Sequence, residues 1–120
     1  MGFLLRWLVT TIALWLAIRF IPGLSVAGDQ WTGLAVMAFL LGLVNAFIRP
    51  IVSLLSLPVT ILTLGLFTFI INAVMLFLAS WLSQQLNPGS PFLIDGWIAA
   101  IVGALVVTIV SAVLSSLVDG

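Results

Sequence analysis

The chain has no cysteine and no histidine. It also lacks lysine and glutamate, because its three basic residues are Arg6, Arg19 and Arg49 and its three acids are Asp29, Asp95 and Asp119. Without cysteine there is no disulfide, no thiolate metal site and no cysteine nucleophile. Without histidine or glutamate, metal sites and most general-base schemes lose their usual donors. The formal net charge is zero and no basic cluster exists, so nucleic acid is not an expected partner. A lipid-modifying enzyme would need an acid–base pair or a metal set, and neither is present. The sequence offers no catalytic residue, cofactor site or metal site, and a non-enzymatic protein is expected.

Apolar residues dominate what is there. They make up 64% of the 120 residues, and charged residues only 5%. A soluble domain carries about 25% charge, so this composition points to the lipid bilayer as solvent. Crossing a bilayer takes ~20 apolar residues as helix, and the runs are long enough. They are continuous and not alternating, which selects helices over a barrel. The expectation is one all-α integral membrane domain over residues 1–120.

Four spans follow. The first covers 3–21, with Arg6 and Arg19 near its ends, from where long side chains reach opposite headgroup layers. Ser25-Val26-Ala27 resembles a signal-peptide cleavage site, but Arg19 breaks the apolar core and argues for retention. Pro22-Gly23 stops the helix, and Trp31 marks the interface before a second span over 31–48. Spans three and four cover 67–86 and 97–118.

The halves repeat. Adding 66 carries Trp15 to Trp81, Pro22-Gly23 to Pro88-Gly89, Asp29 to Asp95 and Trp31 to Trp97 (97 − 31 = 66) without a gap. Two repeated helical hairpins, 3–52 and 69–118, are therefore expected, joined by a linker over 50–66. Small residues recur every fourth position at Ala38, Gly42 and Ala46. They recur again at Ala100, Ala104, Thr108, Ala112 and Ser116. Such faces let helix backbones approach closely, and both are expected to pack inward.

The linker is apolar and bounded by proline, with Pro50, Pro58 and Gly65. Three arrangements fit it: short interfacial or re-entrant helices, a third span lengthened at its start, or one kinked span. Four spans place Arg6, Arg49 and Asp119 on one side and Arg19, Asp29 and Asp95 on the other. Two Arg against one favours cytoplasmic termini.

Polar residues in lipid are costly, so each needs a reason. Arg6, Asn45, Arg49 and Asn72 fall near one membrane face and form a candidate polar cluster. In it, Asn45 and Asn72 are expected to be buried partners whose amides bond carbonyls freed by the prolines. A gate, an ion path, a lipid-headgroup site or plain structural glue would all use such residues. At the opposite face Arg19 is expected to pair with Asp29 or Asp95. The hydroxyls look scattered, which weakens a pore within the chain.

Gly42–Pro50 (GLVNAFIRP), Leu55–Leu76 (LSLPVTILTLGLFTFIINAVML) and the repeated Pro-Gly…Trp turns resemble the YvlD-like membrane proteins of phage holin superfamily IV. The matching positions are Asn45, Arg49, Pro50, Pro58, Gly65 and Asn72. The resemblance implies a four-span protein of the bacterial inner membrane with no catalytic residues. The holin name implies oligomeric membrane lesions. The sequence reading is thus a holin-like, self-associating membrane protein that forms or modulates a pore. The alternative is an accessory or scaffold subunit of a larger membrane complex with no transport activity of its own. The expected partners are the bilayer and further copies or complex subunits.

Overall fold

The computed structural model describes residues 2–119. Four long helices carry the architecture: α1 (Phe3–Phe20), α2 (Gln30–Phe47), α5 (Phe67–Leu86) and α6 (Gly96–Asp119). Two short ones, α3 (Arg49–Leu55) and α4 (Leu57–Leu62), lie between α2 and α5. All four long helices are long and apolar enough to cross a membrane. At 1.5 Å per residue the 18 residues of α1 reach ~27 Å, close to the ~30 Å of a hydrocarbon core.

The long helices form a ring. α1 packs on α2 and α6, and α5 packs on the same two neighbours. The core inside is aliphatic and dense, with Leu14, Leu34, Met37, Met75, Leu76 and Phe92 fully enclosed. Small residues Ala13, Ala17, Ala79 and Ala100 sit among them and are fully buried, which lets the backbones approach.

One feature departs from the all-α expectation. The two hairpin turns pair with each other as strands β1 (Leu24–Val26) and β2 (Phe92–Ile94), antiparallel, with Leu24 opposite Ile94 and Val26 opposite Phe92. The ladder continues outward as Ala27 N–H donates to the Pro91 carbonyl at 3.2 Å and Asp95 N–H to the Gly23 carbonyl at 2.7 Å. Pro91 only has to accept there, so its missing N–H costs nothing. Alternate residues of an antiparallel pair exchange these bonds, so the backbone of Phe92 faces away from the ribbon. It is buried, and α5 satisfies it. Ser83 Oγ accepts from Phe92 N–H at 2.9 Å, and Ser80 Oγ donates to the Phe92 carbonyl at 2.6 Å. Gly28 lets the turns meet: its φ of +85° favours glycine, and a Cβ there would strike the Gly89 carbonyl.

The linker resolves into helices opened by its prolines. Pro50 stands in the first turn of α3 and Pro58 in the first turn of α4, where a missing N–H does no harm. Thr60 and Thr63 hydroxyls donate to the Ser56 and Val59 carbonyls at 3.1 and 2.9 Å. Thr63 Oγ1 also accepts from Phe67 N–H, the first of α5, at 3.1 Å. The linker therefore draws on its own hydroxyls. Leu54, Leu55, Ile61, Leu62 and Leu64 are left exposed on the chain, an apolar surface suited to lipid.

The inward small faces hold only at the ribbon end. Ala38, Ala100 and Ala104 are buried, whereas Gly42, Ala46, Thr108, Ala112 and Ser116 are exposed. Burial starts at Val9 in α1 and ends at Val44 in α2 and Val107 in α6. Beyond that level charged and polar side chains stand between the helices, and the ring opens.

Candidate functional site

The opening at the linker end is a polar vestibule. One cavity, about 270 Å3, is lined by Arg6 and Thr10 of α1, Asn45 of α2, and Thr108, Ser111 and Ser115 of α6. A small inner recess, about 40 Å3, is lined by Asn45, Arg49, Asn72 and Thr108. A larger groove, about 540 Å3, runs outward between α1 and α2 past Phe3, Phe39, Gly42, Ala46 and Phe47. Leu41 and Asn45 border all three spaces.

Helix periodicity explains the lining. Arg6 and Thr10 are four apart, as are Asn45 and Arg49, so each pair shares a face. Thr108, Ser111 and Ser115 follow an i, i+3, i+7 pattern and form one polar stripe on α6. The Thr10 and Thr108 hydroxyls donate to the Arg6 and Ala104 carbonyls of their own helices at 2.9 and 2.8 Å. Their oxygens remain as acceptors.

Arg6 lines the cavity and the groove, Arg49 and Asn72 line the inner recess, and Asn45 borders all three adjoining spaces. The structure does not join the two amides. Asn45 is exposed on the chain, Asn72 is half-buried, and no hydrogen bond links them among the described residues. The short linker helices keep their own backbone bonds, Ser56 to Val52, Thr60 to Ser56 and Thr63 to Val59, so these carbonyls do not depend on the amides. Arg49 is half-buried at the head of α3, and its Nε is buried without a hydrogen-bond partner. Desolvation lowers the Arg49 pKa from its ordinary value, but an arginine keeps its charge in proteins.

At the ribbon end Arg19 forms no ion pair among the described residues. Its guanidinium lies over the Trp15 ring, 5.7 Å from the centroid, and Trp15 stacks on Trp31 at 6.2 Å. Asp29 turns instead to the first turn of α2 and accepts from Thr32 Oγ1 at 2.6 Å. Asp95 is exposed at the equivalent turn. An exposed ion pair is worth little, so local contacts prevail. The Asp119 side chain lies outside the described residues.

Two contributions were missed in the sequence. The Ser111/Ser115 stripe was visible in its spacing. Trp7 Nε1–H donates to the Ala35 carbonyl at 2.8 Å and ties α1 to α2, which spacing alone does not show. The vestibule does not cross the ring. It ends on a packed apolar layer that includes the buried Val9, Leu41, Met75, Leu76 and Val107. Among the described residues no group of three potential metal-binding side chains occurs.

Comparison with known proteins adds the following. A family model described as mycobacterial 4 TMS phage holin, superfamily IV, matches residues 1–113. The uncharacterized protein SCO3922 of Streptomyces coelicolor is 42% identical over 105 residues, spanning 88% of this chain and 82% of the relative. The uncharacterized membrane protein YvlD of Bacillus subtilis is 37% identical over 78 residues, 64% of this chain and 61% of its own length. No solved structure matches the chain.

Proposed function

We propose, because the chain belongs to phage holin superfamily IV, that it is a non-enzymatic protein of the bacterial inner membrane whose copies associate through small-residue helix faces and form a permeation path between them. The observation that carries this is the blind vestibule. Polar groups line it from one end, and the packed layer stops it inside the chain. A path across the membrane therefore needs surfaces from more than one copy. Gly42 and Ala46 offer such a surface, since a Cβ at Gly42 would meet nothing within 4 Å in its own chain. A helix of a second copy can approach closely there.

The finer architecture belongs to the same proposal. The chain is read as two repeated hairpins, 3–52 and 69–118, joined by the linker 50–66 at the membrane interface. The support is the ring, in which α1 and α5 have the same two neighbours. Both termini are assigned to the cytoplasm, because Arg6 and Arg49 lie at the linker end and Arg19 at the ribbon end.

Gly42→Leu tests the association. A Cβ at this exposed position meets nothing in the chain, so the fold should persist while the oligomer fraction in lipid nanodiscs and dye leakage from liposomes both fall. An unchanged oligomer fraction would remove the proposed interface. The packed layer also favours a second reading, an accessory subunit of a larger membrane complex. That reading is preferred if purified protein in liposomes gives no leakage at any protein-to-lipid ratio.

A further inference from the structure

We propose that the vestibule is a phosphate-binding site that takes the headgroup of an anionic phospholipid or a free phosphate, held at Asn45 between Arg6 and Arg49. This goes beyond the permeation reading and needs only that the chain sits in a membrane.

Charge is the first argument. Two of the chain's three cationic side chains, Arg6 and Arg49, border the connected spaces. Among the described residues no carboxylate lines any of them. Arg49 is half-buried, and positive charge held away from bulk water is costly unless an anion balances it. The third arginine, Arg19, lies over an aromatic ring at the other end and cannot share the task.

The second argument is donor chemistry. Arg49 Nε is buried and has no partner, so one strong donor is oriented with nothing to accept from it. The Asn45 and Asn72 amides border the same recess. Ser111 and Ser115 add hydroxyls from α6. The planar guanidinium fork matches phosphate oxygens in pairs, which makes phosphate a better fit than a spherical anion.

Size and depth agree. The cavity at Arg6 and Asn45, about 270 Å3, is many times the ~30 Å3 share of one water molecule, and the recess at Arg49, about 40 Å3, adjoins it at Asn45. Arg6 is the fourth residue of α1, ~5 Å from the helix start at 1.5 Å per residue, and Arg49 opens α3 just past the end of α2, with Ile48 between. Both therefore stand near the headgroup level of one leaflet. A zwitterionic lipid would bring an ammonium group, and among the described residues no carboxylate lines these spaces to meet it, so a net anionic headgroup is favoured.

Native mass spectrometry of protein released from nanodiscs of equal phosphatidylcholine and phosphatidylglycerol provides the test. Wild type and Arg19→Gln should retain phosphatidylglycerol selectively. The double variant Arg6→Gln/Arg49→Gln should lose that preference about tenfold, the loss expected for a charge-assisted contact. Arg6→Lys/Arg49→Lys keeps the charge without the fork and should retain an intermediate preference. A second arm measures the melting shift of delipidated protein with inorganic phosphate. A shift confined to proteins with both arginines, without lipid retention, assigns the site to soluble phosphate. Equal retention in wild type and the double Gln variant, with no phosphate shift, overturns the proposal. If the double variant does not fold, Asn45→Leu gives the same readout with both charges in place. Association is read on Gly42→Leu and phosphate binding on the arginine variants, so the two readings fail separately.

Discussion

Val26 and Phe92 face each other in the antiparallel ribbon, and they stand 66 positions apart (92 − 26 = 66). The same offset carries Pro22 to Pro88 and Trp31 to Trp97. Exchanging the halves at this offset returns the pair to itself and turns the bonded pair Ala27–Pro91 into Ser25–Leu93. A two-fold axis along the membrane normal, through this pair, would have that effect. Side chains break the equivalence. Ser80 and Ser83 serve the Phe92 backbone, whereas Leu14 and Ala17 hold the corresponding places beside Val26.

That asymmetry gives the first prediction. Ser83→Ala should leave the buried N–H of Phe92 without an acceptor, costing about 1–3 kcal/mol. Thermal unfolding in detergent should fall accordingly, and amide exchange at Phe92 should rise. An unchanged melting temperature would mean that the ribbon does not depend on α5.

Trp7→Phe should remove the bond to the Ala35 carbonyl while keeping most of the ring packing. Polar contacts between membrane helices average about 0.6 kcal/mol and reach about 1.7, so the loss should be smaller than for Ser83. Disulfide trapping between cysteines placed in α1 and α2 should slow.

Asn45→Leu should leave stability within about 0.5 kcal/mol of wild type, because no hydrogen bond holds Asn45 in the described structure and its site is exposed. The change should appear in phosphate or lipid retention. A large drop in melting temperature would restore a structural role for the amide.

Single cysteines at positions 29 and 95 should both label from the non-cytoplasmic side. Each position lies beside the ribbon, and the native chain has no cysteine to confuse the result. Labelling from opposite sides would require the linker to cross the membrane.

The spans were legible because length and apolar content alone decide them, and Pro22, Gly23 and Trp31 marked where they stop and start. The short linker helices were among the readings that Pro50 and Pro58 allowed. The ribbon was not legible. Leu24–Val26 and Phe92–Ile94 are three residues each, and their pairing is set by two distant turns meeting. Asn45 and Asn72 line a common recess without a hydrogen bond between them among the described residues, because helix spacing places a residue on a face but does not fix the partner of its amide. The hydroxyls looked scattered because Thr10 and the Ser111/Ser115 stripe come from opposite ends of the chain.

The ribbon also dictates an order of assembly. Its second strand emerges only after α5 has crossed the bilayer, so a nascent chain halted after α2 displays the lone edge of Leu24–Val26 outside the membrane. An unpaired edge is a template for any complementary strand. The strand Phe92–Ile94 of a neighbouring molecule carries the same register, and exchange between two such molecules yields an intertwined dimer without a new contact.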